Sequence, residues 1–323
     1  MPKAIQFRKT GAADVLELAD VSLGRPGPGE ALLRHTAIGV NFIDIYQRSG
    51  LYPVPLPATA GQEGAGIVEA IGPDVRDLKP GDRVAYTSLQ GSYSEFRLAP
   101  AERLVRLPDE IGDTQAAAMM LKGLTVHYLI FSTYQVKRGE TLLWHAAAGG
   151  VGLIAVQWLR TLGVTTIGTA GSDVKCALAQ QHGATHMINY SRENFVDRVA
   201  TLTGGQKLPV VYDSVGKSTW EGSLDCLKPR GLMVSFGNAS GAVPPVALGI
   251  LAAKGSLYVT RPTLGTYIAT REELEVRARA LFDVVTRGHV KIEIGRTYAL
   301  AEAAQAHRDL ESRNTTGSVV LVP

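Results

Sequence analysis

The stretch TLLWHAAAGGVGLIAVQWLRTL at residues 141–162 passes from a short apolar run, through small residues, into a helical repeat. Val151, Ile154, Ala155, Trp158, Leu159 and Leu162 recur at helical spacing and give one apolar face, whereas TLLWHA has the length and texture of a buried strand. A strand that turns through AAGG into a helix is the head of a βαβ unit. Downstream, TTIGTA (165–170), HMINY (186–190), LPVVYDSV (208–215), LMVSFG (232–237) and SLYVT (256–260) read as further strands. The spacers DVKCALAQQHG, NFVDRVATLTGG, STWEGSLDCLKPRG and VALGILAAKG read as helices, several closing on Gly. Alternating strands and helices predict an α/β fold with a doubly wound parallel sheet over residues 122–262.

Upstream the texture differs. Gly and Pro punctuate residues 1–121 at RPGPGE (25–30), LYPVPLPA (51–58), IGPDV (71–75) and LKPGDRVAY (78–86), with short apolar stretches such as ALLRHTAIGV, GIVEAI and RVAYTS between them. This predicts a compact, mainly antiparallel β domain. After Pro262 comes one marked helix, REELEVRARALFDVVTRG, and then a terminal strand, GSVVLV. With no further βαβ unit expected there, residues 263–323 are assigned to the first domain. Two domains also suit 323 residues, beyond the size at which one core keeps growing.

Composition narrows the function classes. Hydrophobic residues at 45% and charged residues at 20% supply two cores. MPKAIQFRKTG has no long apolar run after its first lysine and no later segment is long and apolar enough to span a bilayer, so a soluble cytoplasmic protein without membrane partners is expected. Cys176 and Cys226 each lie in a segment that reads as helix, which gives neither a disulfide framework nor a cysteine zinc cluster. A net charge of +3 is spread without a dense basic run, so nucleic acid is not an expected partner.

The small residues Ala147, Ala148, Gly149, Gly150, Val151 and Gly152 sit between strand and helix, where tight turning brings backbone amides to a pyrophosphate and the helix amino terminus adds positive potential. Ala147 occupies the place of the fingerprint's first Gly. An acid at the tip of the second strand would bind an unmodified ribose, but that strand ends TTIGTAGS. Ser172, Lys175 and Tyr190 instead offer a small pocket with a cation, suited to a 2′-phosphate. Asp173, between two of them, is expected to face solvent as an ordinary first-turn acid.

These features, together with NFIDIYQRSGLYP (41–53), GQEGAGIVEAIG (61–72), KPGDRVAY (79–86), KGLTVHYL (122–129), HAAAGGVG (145–152) and VTRPTL (259–264), resemble the zinc-free, zeta-crystallin-like quinone oxidoreductases of the medium-chain dehydrogenase/reductase superfamily. The resemblance covers essentially the whole chain. It implies a GroES-like β domain closed by the carboxy-terminal tail, a Rossmann domain, and NADPH in the cleft. It places Asn41, Tyr46 and Tyr52 at the nicotinamide end as catalytic candidates. For cofactor binding it adds Asn41, Thr125, Phe236, Gly237, Arg261, Pro262 and Ser318 to Ala148, Gly149, Gly150, Val151, Gly152, Ser172, Lys175 and Tyr190.

In the zinc-dependent branch a cysteine and the histidine of a GHE motif hold the metal; here GVNFID and GQEGAG put Asn41 and Gln62 at those places. Amides are poor zinc ligands, and residues 87–110 lack the four structural cysteines, so no metal is expected. Without a Lewis acid, a substrate whose carbonyls are conjugated is the natural one, and a quinone fits. Tyr46 or Tyr52 could donate a hydrogen bond to the reducing carbonyl, or could be wall packing. Reduction of an enone or other activated double bond needs the same cofactor geometry and stays open, as does a crystallin-like structural or RNA-binding role. SLYVT, as the last parallel strand, presents an apolar edge, and the resemblance implies a homodimer joined there.

Overall fold

A computed structural model describes residues 1–323 as two compact units, Met1–Leu124 with Tyr267–Thr286 and Ile292–Pro323, and Thr125–Thr266 with Arg287–Lys291. In chain order the first begins with β1 (Lys3–Phe7), β2 (Glu17–Asp20), β3 (Glu30–Val40), helix α1 (Phe42–Ser49), β4 (Ala58–Thr59), β5 (Glu63–Ile71), β6 (Arg83–Thr87), β7 (Phe96–Pro100), β8 (Val105–Arg106) and α2 (Asp113–Tyr128). β3 organises this unit. Its side chains alternate between buried and half-buried along much of its length, as a strand with one face on a core must, and it pairs antiparallel with both β5 and β7. Ile5, Phe7, Ile38 and Val40 join Leu300, Val319 and Leu321 in one core, and each such buried apolar side chain contributes roughly 1.5–3 kcal/mol.

The second unit holds β9 (Thr141–Trp144), α3 (Gly150–Thr161), β10 (Thr165–Ala170), α4 (Asp173–Gln181), β11 (His186–Asn189), α5 (Phe195–Leu202), β12 (Leu208–Asp213), α6 (Trp220–Asp225), β13 (Leu227–Ser235), α7 (Gly249–Ala253) and β14 (Tyr258–Thr260). All six strands are parallel, in the order β11-β10-β9-β12-β13-β14. The order reverses between β9 and β12, so the crevice beyond their carboxyl ends is the expected ligand position. The expected strands are all present. The spacer STWEGSLDCLKPRG is corrected: its helix ends at Asp225, Cys226 caps it, and Leu227 already starts β13.

The chain then forms α8 (Leu264–Tyr267), α9 (Arg271–Thr286), β15 (Ile294–Ala299), α10 (Ala303–Glu311) and β16 (Ser318–Val322). β16 pairs antiparallel with β3, so the tail completes the first unit's sheet. β15 and β16 pair in parallel with α10 between them, which corrects the expectation of no further βαβ unit. The polar strand IGRTYA hid that unit, since none of it is buried and only Ile294 and Tyr298 are half-buried. No helix is long and apolar enough to cross a membrane.

Candidate functional site: a dinucleotide loop and a buried polar cluster

The loop after β9 is built by close backbone approach. Ala146 takes a left-handed φ of 53°, the amide of Gly149 donates to Ala146 O at 3.0 Å, and Gly149 then caps α3. A Cβ on Gly152 would lie 2.4 Å from Ala146 O and 2.6 Å from Ala147 atoms, so this position requires glycine. Ala147 is fully buried, and its amide donates to Thr169 O on β10. The methyl fits because β10 carries Gly168 opposite, where a Cβ would come within 2.7 Å of the Ala147 Cβ. A glycine inside an otherwise β-favouring strand was the signal for that approach. Gly149, Gly150 and Val151 are half-exposed at the start of α3; the Gly149 amide is taken by Ala146 O, and the amides of the first turn that follows, with the helix dipole, favour an anion.

At the tip of β10, Ser172 caps α4 by accepting from the Lys175 amide at 3.3 Å. Tyr190 follows β11 and is 44% exposed; a Cβ on Gly171 would meet its hydroxyl at 2.7 Å. Ser172 and Lys175 thus follow β10, and Tyr190 follows the neighbouring β11. Asp173 is not simply a solvent-facing acid. Its Oδ1 accepts from Asn189 Nδ2 at 2.6 Å, and its Oδ2 pairs with Arg192 Nη1 at 2.6 Å.

Farther along the same sheet edge, Phe236 donates its amide to Asp213 O at 2.8 Å and sets its ring 5.7 Å from that of Trp144. A Cβ on Gly237 would lie 2.4 Å from Ser214 O. Arg261 Nη1 donates to Gly237 O at 3.2 Å, Pro262 follows it half-buried, and Thr125 lies buried in α2. Beneath these residues runs a network that the sequence reading missed. His145 is 2.9 Å from Thr169 Oγ1 and 3.0 Å from Ser223 Oγ, and Ser223 donates to Asp213 Oδ2 at 2.8 Å. The Asp213 Oδ1 atom accepts the amides of Val215 and Gly216. Although serine, histidine and aspartate meet, the serine hydrogen goes to the aspartate and all three are buried, so this is not a nucleophile relay. Burial holds the His145 imidazole below its ordinary pKa, in its uncharged form.

In the first unit Asn41 follows β3, caps α1 and is buried. Its amide donates to Asp44 Oδ2 at 2.8 Å and its Nδ2 to Glu63 Oε2, also at 2.8 Å. Glu63 is fully buried; Leu121 N–H reaches its Oε1 at 2.6 Å and Lys122 Nζ its Oε2 at 3.2 Å. Asp44 also accepts from Tyr93 OH at 2.9 Å, and Tyr93 OH lies 3.0 Å from His307 Nε2. Burial pushes the Asp44 carboxyl up to about 7, against the opposite pull of the Asn41 amide and the Tyr93 hydroxyl. Tyr46 and Tyr52 stack edge to face at 5.2 Å, and the Tyr52 amide donates to Tyr46 O. Ser318 donates its hydroxyl to Ala118 O at 2.8 Å and is 2% exposed. Glu63, Lys122 and Asp44 escaped the sequence reading because three separated segments build the cluster.

A glycine loop heading a parallel sheet with a reversed strand order, joined in sequence to an antiparallel β unit, is the plan of a dinucleotide-dependent oxidoreductase. Residues 27–109 match the alcohol dehydrogenase GroES-like domain, and residues 150–279 match the family described as zinc-binding dehydrogenase. The chain is 59% identical to a quinone oxidoreductase of Pseudomonas aeruginosa over the full length of both, and 44% identical to a 2-haloacrylate reductase of Burkholderia over 100% of this chain and 99% of that one. Its structure matches that of Escherichia coli quinone oxidoreductase complexed with NADPH with a TM-score of 0.98 at 50% identity, over 99% of this chain and 100% of the other. The chain belongs to the quinone oxidoreductase family of medium-chain dehydrogenases/reductases.

Zinc, which one family description names, does not fit these residues. Gln62 donates from Nε2 to Gln47 Oε1 at 3.1 Å and to Gln90, Asn41 is tied to Glu63, and the neighbouring carboxylate faces a lysine. Neutral amides committed as donors are weak partners for a metal that prefers thiolate and imidazole.

Proposed function

We infer that the protein is an NADPH-dependent quinone oxidoreductase. The observation that carries this reading is the likeness, over the whole of both chains, to quinone oxidoreductases, one of them solved with NADPH. When bound, NADPH supplies the two electrons that reduce a quinone. The amides of Gly150, Val151 and Gly152 at the start of α3, with Ala148 and Gly149 before them, receive the pyrophosphate. Ser172, Lys175 and Tyr190 receive the 2′-phosphate, and no acid is aimed at the ribose from the tip of β10. Thr125, Phe236, Gly237, Arg261 and Pro262 are assigned to the remaining cofactor contacts. Ser318 is a weaker candidate, because its hydroxyl already serves Ala118.

Asn41, Tyr46 and Tyr52 are the proposed catalytic residues. A tyrosine hydroxyl donated to the reducing carbonyl stabilises the oxygen as it gains charge, in the place that a metal would take in a zinc enzyme. Because reduction produces an aromatic ring, that help and good positioning are sufficient. We further propose a cytoplasmic homodimer formed at β14, where Tyr258 is 61% and Val259 38% exposed on an edge strand. Light scattering at micromolar concentration should give twice the mass of the chain; a monomer would remove that part of the proposal.

The 2-haloacrylate reductase relative favours one second reading, reduction of an activated carbon-carbon double bond. NADPH oxidation should therefore be followed anaerobically, after exhaustive chelation, across quinones and enones. Turnover highest with quinones and undiminished by the chelator supports the reading. Turnover confined to enones, or lost with stoichiometric zinc, would replace it.

A further inference from the structure

The tip of β10 carries a contradiction in charge that the structure resolves in a particular way. Asp173 is the first residue of α4, next to Ser172 and two residues from Lys175. A free carboxylate there would oppose the phosphate those residues receive and would suit an unmodified ribose instead. Asp173 is instead held on both oxygens by the segment that follows β11. Asn189 is buried, lies in register beside Ala170, and donates to Oδ1 at 2.6 Å. Arg192 places Nη1 2.6 Å from Oδ2. The same segment is fixed to the strand tip by Ser191 Oγ, which donates to Gly171 O at 2.9 Å, and by its own turn, with the Ser191 amide on Asn189 Oδ1 at 3.1 Å and the Arg192 amide on Asn189 O at 3.0 Å. Residues 189–192 therefore fold over 171–173 and bring a guanidinium to Asp173.

We propose that Arg192 is a specificity-determining residue: by pairing with Asp173 it cancels that carboxylate's charge beside the 2′-phosphate pocket, so that Lys175 sets the local sign. This inference rests on the proposed NADPH reading and deepens it. As a stabilising contact the pair contributes little, because the two side chains are 72% and 59% exposed. Its consequence is for a ligand of charge about −2, whose repulsion by an uncompensated carboxylate the Arg192 charge removes.

The test is a double-mutant cycle read by calorimetry, with adenosine 2′,5′-bisphosphate and 5′-AMP as probes that need no turnover. Arg192→Ala should weaken the bisphosphate about three- to tenfold and leave 5′-AMP within about twofold. Arg192→Lys, which keeps the charge, should retain affinity within about threefold. In an Asp173→Asn background the same Arg192→Ala step should cost less than about twofold, because no charge is left to cancel. The loss in the single variant should also shrink at high salt. An undiminished loss in the Asp173→Asn background would overturn the proposal and make Arg192 a direct phosphate ligand, and so would no loss at all from Arg192→Ala. Failure of the underlying reading is separate: it would appear as a Lys175→Ala variant that binds the bisphosphate as tightly as the wild type.

Discussion

The amino end of α3 and the cluster around Glu63 solve opposite problems. The first keeps polar backbone groups open to a ligand, and does so with atoms that are near neighbours in sequence: Ala146 turned to positive φ, Gly149 as cap, and Gly152 pressed against Ala146 O. The second closes polar side chains away from water, and does so with residues from three segments: Asn41, Glu63 and Lys122. One is defined by what must be small, the other by what must be paired. A local backbone device leaves a fingerprint in the sequence, whereas a buried ion pair leaves only two ordinary charged residues 59 positions apart.

The sharpest way to break that contrast is to remove one partner of the buried pair. Glu63→Ala should leave the Lys122 ammonium, itself 5% exposed, without its counter-charge, and should cost about 3–5 kcal/mol in urea unfolding. The double variant Glu63→Gln, Lys122→Met should recover most of that loss, since it removes both charges together. A Glu63→Ala protein as stable as the wild type would mean that water reaches the cluster.

A smaller effect is expected at the loop. Gly152→Val puts a branched side chain where even a Cβ would approach Ala146 O at 2.4 Å, so the turn must shift at a cost of about 1–3 kcal/mol. Because the amides there are the proposed pyrophosphate ligands, NADPH and NADH should both weaken, about ten- to a hundredfold, in a fluorescence titration. Loss of stability with unchanged affinity for both would separate the glycine's packing role from ligand binding.

Much of the α/β unit was legible because its strands are apolar runs and several of its helices close on Gly. TTIGTA was bounded correctly at both ends, and SLYVT took its place as the edge. The misses have physical causes. α2 was not recognised because Ala116–Met120 are buried on every face, leaving no polar stripe to mark a helical period. β13 begins inside LKPRG, where charge and Pro suggested a helix end. The site divides in the same way. The close-packed small residues of the loop could be read from local order, whereas the embrace of Asp173 by Asn189 and Arg192 depends on the register of two parallel strands, which the sequence does not state. Tyr46 and Tyr52 were named through resemblance, and only the fold brings them ring to ring.

On the proposed reading, the chain recognises NADPH through Ser172, Lys175 and Tyr190. The most direct test of that reading is the pair of Michaelis constants for NADPH and NADH, measured with one quinone on the wild type and on Lys175→Ala. A charge-assisted hydrogen bond contributes about 1.5–3 kcal/mol, so the variant should raise the NADPH constant roughly ten- to a hundredfold while turnover stays close to that of the wild type. NADH, which lacks the phosphate, should scarcely respond. Equal losses for the two cofactors, or none for NADPH, would contradict the account and assign Lys175 to the fold or to the adenosine they share.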